Sequence, residues 1–100
     1  MDIQLKKGLL ELMVLASIKY EDSYGYKIIQ DISSIIEVSE STLYPILKRL
    51  EKQKLVRSYN TTYKSRIRKY YSINDNGRDK LKQAIEDYEE VKRMYAFIKR

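Results

Sequence analysis

Apolar residues recur along this chain at helical spacing in its first half and again at its end, with a strand-like stretch between. From Ile3 to Tyr20, Leu5, Leu9, Leu12, Met13, Ala16 and Ile18 form a stripe that Leu10, Val14 and Leu15 widen past one face. A helix apolar on more than one side needs more than one packing partner, met by a central core position or by a second subunit. Gly8 costs this helix about 1 kcal/mol relative to alanine, which close approach by a neighbouring backbone would excuse. Glu21-Asp22-Ser23 breaks the pattern and offers a cap to a second helix. That helix opens on Tyr24-Gly25-Tyr26 and carries Ile28, Ile29, Ile32, Ile35 and Ile36. Gly25 falls where a side chain would hinder packing on a neighbour. After a turn at Glu37-Val38-Ser39, with Ser39 as N-cap, Leu43, Ile46, Leu47 and Leu50 define the buried side of a third helix. Its outer side carries Ser41, Pro45, Lys48 and Lys52, flanked by Tyr44 and Arg49. Pro45 requires a place near the first turn, where its missing N–H matters least.

Beyond Lys54 the period changes. Leu55–Thr61 and Ile67–Ile73 are rich in β-branched and aromatic residues, and the polar Thr62–Arg66 between them predicts a two-stranded hairpin. Its tip, near Tyr63-Lys64-Ser65-Arg66, carries cations in place of the Asn-Gly of a tight turn. Asn74 then caps a last helix in which Leu81, Ala84, Tyr88, Val91, Tyr95 and Ile98 step alternately by three and four, the seam of a helix that packs on another helix. The first helix of the same chain or of a second copy would serve. The acidic cluster Glu86, Asp87, Glu89 and Glu90 reads as a solvated face, with Glu89 able to pair with Arg93.

Charge adds a direction. The net charge is +6, and between Ser39 and Tyr70 nine cations meet only Glu40 and Glu51, so all of the net positive charge lies in the middle third. That is the electrostatic footprint of a surface that docks on a polyanion. Taken alone, the third helix is equally an ordinary solvated surface helix. A basic hairpin directly after two helices joined by a tight turn changes the weight, because that order makes a winged helix-turn-helix. There is no Cys and no His, which removes disulfides, thiol nucleophiles, imidazole chemistry and the usual zinc ligands. No cofactor or metal is implied. No signal peptide is evident at the N-terminus, and the apolar run Leu12–Ala16 is too short to span a bilayer, so a cytoplasmic location is expected.

These residues resemble the PadR family of bacterial transcription regulators. The resemblance rests on Tyr24-Gly25-Tyr26, on the run from Thr42 through Tyr44-Pro45 to Lys52, and on Arg68-Lys69-Tyr70-Tyr71-Ser72-Ile73 followed by Gly77. It extends from about Leu9 to Leu81. It implies a winged helix with a C-terminal dimerisation helix and a homodimer that binds operator DNA. Such proteins are usually repressors, often of genes for detoxification or export, and the short last helix is similar to the compact branch of the family. Three departures stand out. Lys54 replaces a common glycine and must adopt left-handed geometry or end the helix differently. The Gly-Pro often found at the wing tip is absent around Ser65 and Arg66, and Asn74 replaces a threonine cap. With no Trp in the chain, the drug site that some compact members form between tryptophans is not carried over.

The resulting expectation is a mainly α fold with a two-stranded β-wing: a winged helix-turn-helix over residues 1–73 and a dimerisation helix over 74–100, one compact domain overall. Ser41, Thr42, Tyr44, Lys48 and Arg49 would face the major groove, and Lys52, Lys64, Arg66 and Arg68 would reach phosphates. Leu5, Leu9, Leu81, Ala84, Tyr88, Val91, Tyr95 and Ile98 would form the dimer interface. The partners expected are double-stranded DNA with a pseudo-palindromic operator, a second copy of the chain, and a small-molecule inducer. The rival is a protein–protein module, since winged helices also serve as scaffolds. An enzyme is not expected, for there is no phosphate loop and no paired carboxylates in an evident cleft.

Overall fold

The computed structural model describes residues 1–100. Asp2 starts helix α1 (Ile3–Ser17) by accepting from the Leu5 N–H at 3.0 Å. The helix ends three residues before the expected Tyr20. Its inward residues Leu10, Val14 and Leu15 are buried, Leu12 and Met13 are half-buried, and Leu5 and Leu9 remain exposed.

Ser23 and Tyr24 do not cap the next helix as a polar turn would. They form a short strand, β1 (Ser23–Tyr24), which pairs antiparallel with Tyr71 and Tyr70. Ser23 is thereby buried, with its Oγ lacking a hydrogen-bond partner, and Tyr24 precedes α2 (Gly25–Ser33) without a side-chain cap. Backbone pairing took these residues, and two residues carry too little alternation to announce a strand. α2 buries Ile28 and Ile32 but stops before Ile35, which is exposed.

Helix α3 (Glu40–Lys52) starts at Ser39, whose Oγ accepts from the Thr42 N–H at 3.3 Å. Leu43, Ile46, Leu47 and Leu50 are all buried, as their spacing requires. Pro45 falls in the second turn, beyond the position expected for it, and deprives the Ser41 carbonyl of its helical donor. That costs about 3 kcal/mol. Burial of each aliphatic side chain on the opposite face contributes roughly 1.5–3 kcal/mol. Four of them outweigh one proline.

Lys54 ends α3 with φ of 61°. Its N–H donates to the Glu51 carbonyl and that of Leu55 to the Leu50 carbonyl, both at 3.0 Å, the paired bonds of a Schellman cap made without glycine. Strands β2 (Val56–Tyr63) and β3 (Arg66–Ile73) follow, and the sheet order is β1-β3-β2. The wing is thus part of a three-stranded sheet. Both of its long strands run further toward the tip than expected. Lys64 and Ser65 alone make the turn, with φ of 50° and 64°, the two positive values of a type I′ turn.

Asn74 caps α4 (Asp75–Lys99), accepting from the Gly77 N–H at 2.9 Å. Its amide also donates to the Lys54 carbonyl at 2.8 Å, and its own N–H to the Leu55 carbonyl, so the α3 exit and the α4 start hold each other. Gly77 lets them meet: a Cβ there would collide with the Leu55 carbonyl oxygen. Leu81 packs against the core and Ala84 is half-buried, α4 faces α1 as far as Tyr88, and the residues from Ile85 onward are exposed; the molecule's extents are 58 × 27 × 21 Å. Glu89 pairs with Lys92 at 3.4 Å rather than with Arg93. No helix is long and apolar enough to cross a membrane.

Candidate nucleic-acid interface

Ser41, Thr42, Tyr44, Pro45, Lys48 and Lys52 are exposed on α3. Lys48 and Lys52 are free of ion pairs. At the start of the helix Ser39 Oγ lies 2.9 Å from Ser41 Oγ and donates to Thr42 Oγ1 at 3.2 Å, a small hydroxyl cluster beside the positive end of the helix dipole. Tyr44 lies against the start of α2, and a Cβ on Gly25 would fall 2.5 Å from its hydroxyl oxygen. The missing side chain of Gly25 is what seats Tyr44 at the edge of the exposed face.

Arg49 is placed differently from its neighbours. It is half-buried, and its guanidinium is tied to Glu11 of α1, with Nε donating to Oε1 at 2.6 Å and Nη2 meeting the same oxygen. On the other side Ser58 of β2 donates to Glu51 at 2.5 Å. Arg49 and Glu51 stand about 200° apart around the helix. α1 therefore flanks one edge of the exposed face, and the sheet flanks the other.

Lys64, Arg66 and Arg68 all belong to the wing, in unlike surroundings. Lys64 and Arg66 are exposed at the tip, Lys64 Nζ being 5.3 Å from the Tyr63 ring. Arg68 is half-buried, its guanidinium 4.0 Å from the Tyr24 ring centre and 4.4 Å from that of Tyr63. The register sets Tyr24, Tyr70 and Tyr59 in one row across the strands, with ring centroids 5.3 and 5.8 Å apart. The Tyr59 hydroxyl donates to Asp22 at 2.5 Å, which holds the phenol above its ordinary 10.0. The outer sheet face is thus a braced platform of stacked tyrosines and arginines. Alternation along the paired strands β2 and β3 puts Tyr59, Tyr70 and Arg68 on one face, and Tyr24 joins them only through β1. On the inner face Tyr71 is buried, and that burial, with the charge of Glu51, raises its phenol above 10.0.

Among the apolar residues assigned to an interface, Leu81 and Ala84 are half-buried against the body. Leu5, Leu9, Tyr88, Val91, Tyr95 and Ile98 are exposed. A groove of about 760 Å³ runs between α1 and α4, with Leu9, Leu12, Met13, Leu81, Ala84 and Tyr88 in its walls. No group of carboxylates is placed to hold a metal ion.

Two helices joined by the connection 34–39, longer than the expected turn at Glu37–Ser39, the second exposed and cationic, followed by a β-hairpin and a long terminal helix, define a winged helix-turn-helix. The model of the PadR-like family of transcriptional regulators matches residues 14–83, and the chain belongs to that family. A crystal structure of a PadR-like transcription factor from Bacteroides fragilis is 29 % identical, covers 95 % of this chain and 94 % of its own, and superposes with a TM-score of 0.85. A protein of Streptococcus mutans is 41 % identical over 86 % of this chain and 81 % of its own, with a TM-score of 0.78. PadR of Bacillus subtilis, solved in complex with operator DNA, shares the fold at a TM-score of 0.71 and 21 % identity, over 76 % of this chain and 46 % of its own. As a member of a family of transcription regulators, the protein is not an enzyme.

Proposed function

We propose that this chain is a cytoplasmic, homodimeric repressor that binds a pseudo-palindromic operator and is released by a small molecule. The observation that carries the reading is the exposed face of α3, with Ser41, Thr42, Lys48 and Lys52 unpaired by any carboxylate, next to a wing whose tip offers Lys64 and Arg66. Ser41, Thr42, Tyr44 and Lys48 would meet base edges in the major groove. Lys52, Lys64 and Arg66 would neutralise phosphates, with Arg68 bracing the wing from the tyrosine platform. Arg49 would reach a base only by leaving Glu11.

In this reading residues 1–73 bind DNA and residues 74–100 dimerise. The exposed seam Tyr88, Val91, Tyr95 and Ile98, together with Leu5 and Leu9 on α1, supports a second copy as its cover. Gly8 is consistent with this, since a Cβ there would meet nothing within 4 Å in its own chain. The groove between α1 and α4 has the size of a small-ligand pocket and suits a largely apolar inducer. Two-fold symmetry would set half-sites roughly 34–36 Å apart.

The test is binding to the DNA upstream of the protein's own gene, titrated against scrambled DNA at near-physiological salt. Saturable preference for the upstream fragment supports the operator reading, and footprinting gives the half-site spacing. Equal weak binding to both would remove sequence specificity. No binding to either would favour a protein–protein module. A Tyr95→Asp variant that sediments as a monomer supports the dimer assignment, whereas a parent that is itself monomeric at micromolar concentration overturns it.

A further inference from the structure

Helix α1 lies along one edge of α3, and an open cleft of about 410 Å³ separates their N-terminal halves. Its α1 wall carries Lys6 and Lys7, and its α3 wall carries Ser41, Thr42 and Arg49. Both lysines are exposed, and neither is paired with a carboxylate. Of the nearby acids, Glu11 is neutralised by Arg49, and Asp2 is turned to its own helix, accepting from the Leu5 N–H. Glu40, at the start of α3, is not part of the cleft wall. The cleft therefore joins two unpaired lysines to the positive end of the α3 dipole, with the carboxylates of Asp2 and Glu40 outside its wall.

We propose that this cleft seats the sugar–phosphate backbone of DNA, so that Lys6 and Lys7 of α1 belong to the nucleic-acid interface. The proposal rests on the operator-binding reading and extends its DNA contacts to α1, which that reading uses only for the dimer and the inducer groove. The donors match an anion: Lys6 and Lys7 line the cleft from α1, beside the positive end of the α3 dipole. Its apolar lining, the exposed Ile3 with the buried Leu10 and Ile46, offers carbon to the deoxyribose faces. Position also matters. The cleft lies on the Arg49 edge of α3, whereas the sheet contacts the Glu51 edge, about 200° around the helix. Cations from α1 and from the wing thus flank opposite edges of the helix and would grip the two walls of one major groove. Contacts of this kind carry no base information; they set the depth and tilt at which α3 enters.

The test compares the full-length parent with a Lys6→Ala/Lys7→Ala variant by fluorescence anisotropy, using the upstream duplex and a scrambled one over a series of KCl concentrations. The expected result is a drop in affinity of roughly tenfold or more on both duplexes. The plot of log affinity against log salt should flatten by about two per chain, near 0.9 for each phosphate that is no longer neutralised. A Lys6→Arg/Lys7→Arg variant should keep the parental slope, because charge is retained. An unchanged slope in the alanine variant, with the parent still binding, overturns the cleft assignment and leaves the operator reading intact. Weakening confined to the upstream duplex would overturn it too, since backbone contacts cannot rank sequences. A parent that binds neither duplex brings down both readings together.

Discussion

Arg49 of α3 and Glu11 of α1 are joined through two guanidinium nitrogens, with Nε 2.6 Å from the carboxylate, across thirty-eight positions of chain. Their side chains are 33 % and 20 % exposed, so the pair is partly screened but still costly to break from one side. Glu11→Gln and Arg49→Ala should each lower stability by about 1–2 kcal/mol in urea unfolding. A double-mutant cycle should show coupling of at least about 0.5 kcal/mol, and additive losses would mean that the pair contributes nothing. The same Arg49→Ala protein tests base reading. Unchanged ranking of operator variants assigns Arg49 to the α1–α3 junction, and altered ranking keeps it at the DNA.

The three glycines of the chain are not equivalent, and alanine should separate two of them. At Gly77 the added Cβ would collide with the Leu55 carbonyl oxygen and lie 2.6 Å from Ile73 Cγ1, in a junction fixed by the Asn74 bonds. Backbone cannot step aside cheaply, so Gly77→Ala should cost about 1–3 kcal/mol. At Gly25 the obstacle is the end of the Tyr44 side chain, 2.5 Å away, which can swing outward. Gly25→Ala should unfold close to the parent yet bind DNA more weakly, because Tyr44 moves on the exposed face. Equal thermal stabilities for the two variants would contradict this distinction.

Left-handed residues other than glycine offer a gain. Lys54 and Ser65 hold φ of 61° and 64°, a conformation that costs an L-residue roughly 1–2 kcal/mol. Glycine removes that cost but loses more freedom on folding, so Lys54→Gly and Ser65→Gly should each stabilise by a net of about 0.5–1 kcal/mol. Ser65→Gly should also leave the salt dependence of DNA binding unchanged, while Lys64→Ala reduces its slope by about one per chain. Destabilisation by either glycine would show that the native side chain makes a compensating contact.

Alkaline pH should weaken the fold through Tyr71. Burial, followed by the negative charge of Glu51, raises its phenol above 10.0, so the folded protein favours the protonated form. The corresponding stability is complete below pH 10 and disappears as pH rises through the raised value. Urea midpoints at pH 8 and pH 11 should therefore lie further apart for the parent than for Tyr71→Phe. Equal separation would place the sensitivity elsewhere.

Much of this architecture was legible from spacing alone. The inner face of α3 is the i, i+3, i+4, i+7 set Leu43, Ile46, Leu47 and Leu50, and helical geometry admits no other burial for it. Ser39 and Asn74 were recognisable as caps because their side chains act on donors within one turn. The concentration of cations between Ser39 and Tyr70 likewise needs no fold to be counted. Local periodicity is silent wherever the partner is distant in sequence. Arg49 looked like the other outward cations of α3 until Glu11 came beside it. Ser23 looked like a cap until Tyr71 offered a backbone to pair with. Pro45 in the second turn became tolerable because the opposite face of its helix is buried. Lys6 and Lys7 carry no signal of their own, and only the packing of α1 along α3 brings them into one cleft with Ser41, Thr42 and Arg49. The chain by itself determined which faces are apolar, where helices begin and how charge is distributed, since these depend on neighbours within a turn. Tertiary packing alone decided which charges are neutralised and which cations share a surface, because Coulomb interactions and hydrogen bonds depend on distance in space.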